Sequence, residues 1–190
     1  RMSDSLSVRL DRILAALPRR HPGPGGAVAV LREGEVLVRH AWGFANAERR
    51  IPFTPRTLFR MCSVTKQFTC AAVLAACSDP ARLDPAISAR LPLLEEVPSA
   101  RFLCHNQSGL RDYWAVAMLH GAPADGAFGD AEAARVIAAT RSLHFAPGTR
   151  YSYVNQNFRL LGDALEDVTG RSFAELLRQH VFEPAGMQTA

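Results

Sequence analysis

The chain has 190 residues with a formal net charge of +4, and 48% of them are hydrophobic against 21% charged. That length and balance suit one soluble globular domain with a core of its own. The arginines are scattered, densest at Arg19-Arg20 and Arg49-Arg50, with no basic stripe or aromatic ladder to suggest nucleic acid, and runs such as Ala71–Cys77 are far too short to span a membrane.

The first predicted element is an amphipathic helix from Ser7 to Leu17, with Val8, Leu10, Ile13, Leu14 and Leu17 on one side and Pro18 closing it. Ile13–Leu17 is too short for the apolar core of a signal peptide. A hairpin follows: Ala27–Leu31, a Glu33-Gly34 turn, and Val36–Trp42, with Gly43–Arg56 as loop. Ser63–Cys77 reads as a helix capped by Ser63 or Cys62. Proline turns at 80, 85, 92 and 98 come next, then short helices at 100–104 and 112–119. After a loop at Gly121–Asp130, a helix is expected over Ala131–Thr140 and a turn at Pro147-Gly148 leads into Tyr151–Tyr153. Asn155–Val168 is helical and stops at Gly170, and Ser172 caps a last helix to His180. The fold class is α+β, a hairpin followed by a mostly helical region. Because a lone two-stranded hairpin is marginal, its sheet is expected to be completed by strands outside the chain.

Cysteines 62, 70, 77 and 104 show no CxxC spacing. On one helix the first three would lie roughly 10 Å or more apart, too far for a disulfide. The expectation is reduced, mostly buried thiols in the cytoplasm.

The chemistry gathers at Ser63-Val64-Thr65-Lys66. Lys66 is the only lysine; the other 21 of the 22 basic residues are arginine, which keeps its proton, whereas a lysine can yield one. Residues three apart on a helix share a face, so the Ser63 hydroxyl and the Lys66 amine can meet. Burial would lower the lysine's affinity for its proton and make it a base for the serine. In the first helical turn, the backbone N–H of Ser63 is also placed to face an oxyanion. The competing reading is a helix cap followed by a surface lysine. A second element, Tyr153-Val154-Asn155, offers a phenol that can shuttle a proton and an amide that can hold lysine and substrate; alone it reads as a core tyrosine beside a helix cap.

Other groups carry less. Ser108 stands in Asn-Gln-Ser-Gly, not in a nucleophile elbow, and is a turn serine. The six histidines lack zinc spacing, and His105 and His144 read as structural or surface residues. Glu95-Glu96 and Glu166-Asp167 read as solvated faces. Gly23, Gly25 and Gly26 precede a strand, where a phosphate loop would follow one. No metal or cofactor is expected.

Taken together, Ser-x-x-Lys and Tyr-x-Asn some 90 residues later make the chain resemble the serine β-lactamase and penicillin-recognising peptidase family, in its class-C-like branch. The resemblance extends through Gly-Ala-Val-Ala-Val-Leu in the first strand, Ala-Trp-Gly-Phe-Ala (41–45), Arg-Leu-Asp-Pro (82–85), Gln-Ser-Gly-Leu (107–110), Pro-Gly-Thr-Arg-Tyr-Ser-Tyr (147–153) and Glu-Pro-Ala-Gly-Met (183–187). Met-Cys-Ser-Val-Thr-Lys-Gln-Phe-Thr-Cys and Asn-Gln-Ser-Gly-Leu-Arg-Asp-Tyr-Trp-Ala are most similar to the D-aminopeptidase branch, as is Asn106 where most of the family has histidine.

The resemblance implies a β-lactamase/transpeptidase-like fold and an acyl-enzyme mechanism. Ser63 would be the nucleophile, with its own N–H as one oxyanion donor. Lys66 and Tyr153 would manage the protons, and Asn155 would bind the lysine and the substrate carbonyl. It implies a small peptide or amide substrate, with release of N-terminal D-residues such as D-alanine. A homodimer is the candidate assembly. The alternatives are a β-lactamase, a D,D-carboxypeptidase, an esterase, or a protein acylated by β-lactams without turnover. The family's third motif, His-x-Gly or Lys-Thr-Gly on a strand, matches none of His21, His40, His105, His120, His144 and His180. Residues 1–190 are therefore expected to be part of one catalytic domain, with helix and hairpin over 1–60 and the helical region over 61–190. That domain would be truncated before the third motif and inactive by itself.

Overall fold

The computed structural model describes residues 2–189. It divides into two units, Arg1–Arg60 and Met61–Ala190.

The first unit opens with α1, Met2–Arg20. Leu10, Leu14 and Leu17 of the expected stripe are half-buried, while Val8 and Ile13 face solvent. Pro18 does not end the helix. A proline removes only its own donor, and the last turn still closes, His21 N–H to the carbonyl of Leu17 at 2.9 Å. β1 (Gly25–Arg32) pairs antiparallel with β2 (Glu35–Asn46) from Gly25↔Gly43 to Arg32↔Glu35. The two-residue turn has Glu33 at φ 53° and Gly34 at φ 84°, the double left-handed geometry whose twist suits a hairpin. The expected loop at 43–56 is corrected. β2 runs on through Gly43 to Asn46, and β3 (Ile51–Pro52) pairs with it, giving a three-stranded sheet in the order β1-β2-β3. Pro52 lacks an N–H and fits here because β3 is an edge strand.

The second unit is helical. A 3-10 turn at Cys62–Val64 leads into α2 (Thr65–Ala76), and a second 3-10 turn at Pro80–Leu83 leads into α3 (Asp84–Arg90). Then come α4 (Ala100–Cys104), α5 (Tyr113–Leu119), α6 (Asp130–Ala138), α7 (Asn155–Thr169) and α8 (Phe173–Leu177), with a π-helical stretch over Arg178–Phe182. α7 is the axis of the unit. Its Leu160, Leu161, Ala164 and Leu165 are fully buried and share one core with Ala72 and Val73 of α2, Ile87 of α3 and Leu103 of α4. The left-handed Gly170, φ 67°, ends α7, and Ser172 with Glu175 forms a capping box on α8. The core position of α7 fixes where its first residue, Asn155, is held.

α3 replaces a segment expected as turns. Pro85 lies in the first helical turn, where its missing N–H costs nothing, and Asp84 Oδ1 accepts the N–H of Ala100 at 2.7 Å. Ile87 is wholly enclosed. Ile87→Val is therefore expected to lower the unfolding free energy by about 0.5–1.5 kcal/mol, read by urea titration. A change within error would mean that α3 does not bury this face.

Candidate active site

Ser63 stands in the 3-10 turn just before α2, where Met61 and Cys62 turn the chain. Cys62 has φ 46°, a left-handed conformation uncommon outside glycine. The expected capping by Ser63 or Cys62 is not observed, since the helix start carries no side-chain cap. The Ser63 hydroxyl is engaged elsewhere. Its Oγ lies 2.6 Å from Tyr153 Oη, and Lys66 Nζ donates to it at 3.1 Å. Lys66 Nζ also donates to Asn155 Oδ1 at 2.9 Å and lies 4.8 Å from the centre of the Tyr153 ring and 5.3 Å from that of Phe158. The four residues singled out from the sequence thus meet in one cluster, with Ser63 from the 3-10 turn, Lys66 from the first turn of α2, Tyr153 from the segment before α7 and Asn155 from its first turn.

Burial of this cluster is shallower than the sequence argument supposed. Lys66 is half-buried, and Tyr153 is 45% exposed. Ser63 is exposed as well, so the cluster is partly open to solvent. The titration shift falls on the phenol. Hydrogen bonding from Lys66, and next from Ser63, holds Tyr153 below the usual tyrosine range, against a smaller upward push from burial. Lys66 donates to two acceptors, Ser63 Oγ and Asn155 Oδ1, and lies over two aromatic rings. The geometry can therefore transfer the Ser63 proton directly to Tyr153, with Lys66 stabilising the phenolate.

Two further residues hold the backbone around the cluster, and nothing in their sequence pattern marks them chemically. Asn106, 9% exposed and at φ 55°, accepts the N–H of Ser152 on its carbonyl at 2.9 Å. Its Oδ1 accepts the N–H of Val154 and the amide of Asn157, each at 3.2 Å. Asp112 accepts the N–H of Asn155 on Oδ2 at 2.6 Å while its Oδ1 caps α5. The only hints in the sequence were the Asn106 departure and an aspartate at a helix start.

The remaining candidates are placed as follows. Ser108 is buried and donates to Asn157 Oδ1 at 2.8 Å, and His105 and His144 are exposed. Glu166 and Asp167 do more than face solvent: Glu166 accepts the N–H of Phe173, and Asp167 pairs with Arg90. Of the cysteines only Cys77 is buried, and the Cys70 and Cys104 thiols lie in hydrogen-bonding contact. The expectation of mostly buried thiols is corrected; the separation expected along one helix concerned Cys62, Cys70 and Cys77 and did not bear on Cys104.

Comparison with known proteins gives a consistent picture. The Beta-lactamase family model matches residues 10–190. A curated D-aminopeptidase of Gluconobacter oxydans is 67% identical over 190 residues, 100% of this chain and 36% of that protein. The chain thus spans about a third of the length of such curated relatives. Among solved structures, an octameric penicillin-binding protein homologue from Pyrococcus abyssi superposes with a TM-score of 0.73 at 25% identity, covering 95% of this chain and 43% of that one. SurE with D-Leu gives a TM-score of 0.72 at 26% identity, over 96% and 41%.

Proposed function

We propose, from the premise that this chain belongs to the beta-lactamase family and has the β-lactamase/transpeptidase-like fold, that it is part of the catalytic domain of a serine hydrolase. The enzyme releases N-terminal D-amino acids from small peptides and amides through an acyl-enzyme. The observation that carries the reading is the 2.6 Å contact between Ser63 Oγ and Tyr153 Oη, with Lys66 donating into it.

Tyr153, as phenolate, takes the Ser63 proton while Oγ attacks the substrate carbonyl. The oxyanion is held by the Ser63 N–H at the helix head, with a second donor coming from the strand that bears the third motif. Collapse breaks the C–N bond, and Tyr153 returns its proton to the departing amine. Water then attacks the ester with Tyr153 again as base, and Ser63 leaves with the proton. Lys66 keeps the phenolate ionised, and Asn155 orients Lys66 and offers its amide to the substrate carbonyl.

Preference for D-residues rests on the relatives, a D-aminopeptidase at 67% identity and SurE holding D-Leu at 26%. The chain spans about a third of the curated relatives, so the isolated 190 residues are expected to be inactive. For assembly and place we propose a homodimer in the cytoplasm, where the adjoining Cys70 and Cys104 thiols stay reduced. Among the described residues no helix is long and apolar enough to cross a membrane.

The test uses the full-length protein with D-alanine p-nitroanilide, its L-isomer, nitrocefin and p-nitrophenyl acetate. Faster release from the D-anilide, with a transient adduct on Ser63 by intact mass, is the expected result. Preference for the L-isomer overturns the stereochemical claim. Dominant nitrocefin or acetate turnover favours a β-lactamase or esterase, and a persistent adduct favours a non-turnover binder.

A further inference from the structure

We propose that Asn106 is a positioning residue for the base, holding the Tyr153 phenol against Ser63 by gripping the backbone on both sides of it. The inference rests on the serine-hydrolase reading only in taking Tyr153 as the group that receives the serine's proton.

Tyr153 cannot be fixed by packing, because nearly half of its surface is open. Its reach to Ser63 must come from the backbone that carries it, and that backbone hangs on one residue. Asn106 accepts the N–H before the tyrosine, from Ser152, on its main-chain oxygen, and the N–H after it, from Val154, on its side-chain oxygen. The same side-chain oxygen takes the Asn157 amide, so Tyr153 is tied to the first turn of α7. Asn157 is in turn held by Ser108, whose oxygen also accepts the Leu110 N–H at 3.2 Å. Further along the loop, Asp112 fixes the N–H of Asn155. The 106–112 loop is itself anchored to the chain before Tyr153. Gln107 accepts from Gly148 at 2.8 Å and Gly109 from His144 at 2.7 Å.

Asparagine suits this position for two reasons. It tolerates the left-handed backbone observed at φ 55°, and its short amide places an acceptor where the next strand of backbone arrives. Only the oxygen of that amide is used; no bond from Asn106 Nδ2 is found among the described residues. The requirement is therefore for an acceptor at a left-handed position, which separates the informative variants. Asn106→Gly keeps the backbone freedom and removes the acceptor, while Asn106→Asp keeps both.

Both variants are made in the full-length protein and followed by the rate of Ser63 acylation with p-nitrophenyl acetate, by kcat and KM on D-alanine p-nitroanilide, and by the pH dependence of acylation. A displacement of about 1 Å at a reacting group costs up to about 10²-fold, so Asn106→Gly is expected to acylate about 10- to 100-fold more slowly. The loss should fall on kcat with KM nearly unchanged. The rising limb of its pH profile should move to higher pH, because a phenol that has drifted from Lys66 and Ser63 regains its ordinary affinity for the proton, with the nearby Asp112 carboxylate pushing the same way. Asn106→Asp should recover most of the rate. The proposal is overturned if Asn106→Gly acylates within about twofold of the parent with the same limb. It is equally overturned if the aspartate variant folds and is as slow as glycine, since the acceptor would then be irrelevant. A parent protein that acylates at Ser63 but does not cleave the D-anilide refutes the aminopeptidase reading and leaves this test intact.

Discussion

Exchanging Lys66 for methionine is expected to slow acylation of Ser63 by about 10²- to 10³-fold, the scale on which loss of one preorganised donor at a reacting centre is felt. The side chain is near in length and flexibility, so the packing beside Phe158 is largely kept and the change is electrostatic. Lys66 donates to Ser63 Oγ and Asn155 Oδ1 and is the first cause of the lowered Tyr153 affinity for protons. Without it the phenol returns toward the ordinary tyrosine range, near 10, and the phenolate fraction at neutral pH falls. The sign follows directly. The rate rises as Tyr153 ionises, so the limb of the pH profile survives in the variant and shifts to higher pH. Were Lys66 itself the proton acceptor, the limb would vanish with it. Retention of the parent rate would leave Lys66 a surface cation and remove the basis of the mechanism.

The contrast between lysine as base and lysine as cation also shows what the sequence could and could not disclose. That Ser63 and Lys66 meet follows from three-residue spacing on one helix, a local relation that chain order encodes. Burial does not follow from spacing, and Lys66 is half-exposed where a lysine acting as base needs enclosure. Tyr153 and Asn155 lie 90 and 89 residues from their partners; resemblance joined them to Ser63, whereas no periodicity could. The grip of Asn106 on the segment carrying Tyr153 spans 48 residues through one amide oxygen and leaves no pattern in composition. A similar limit applies to the thiols. Cys104 arrives beside Cys70 from α4, which spacing along one helix cannot foresee. The missed helix α3 has another cause. Pro85 suits a turn and the first turn of a helix alike, and only the enclosure of Ile87 separates the two cases.

Tyr153→Phe removes a single oxygen and is expected to lower kcat/KM by about 10²- to 10⁴-fold, the range supplied by a positioned proton-transfer group. The ring remains over Lys66, since the cation lies 4.8 Å from its centre, and the side chain is exposed enough that stability should hardly change. Ser63 then keeps a donor, Lys66 Nζ at 3.1 Å, but loses the acceptor for its proton. Two consequences separate this variant from Lys66→Met. First, the pH limb attributed to phenol ionisation should be absent instead of displaced, leaving a residual rate that is flat across the interval where the parent rises. Second, acylation and deacylation should both slow, because the same oxygen collects the proton from serine in one step and from water in the next. Activated esters, whose leaving groups need no proton, should be spared more than anilides, so the ratio of p-nitrophenyl acetate to D-alanine p-nitroanilide turnover should rise. A phenylalanine variant with parental rates on both substrates, or one that keeps the rising limb unmoved, would show that the proton of Ser63 travels by another route.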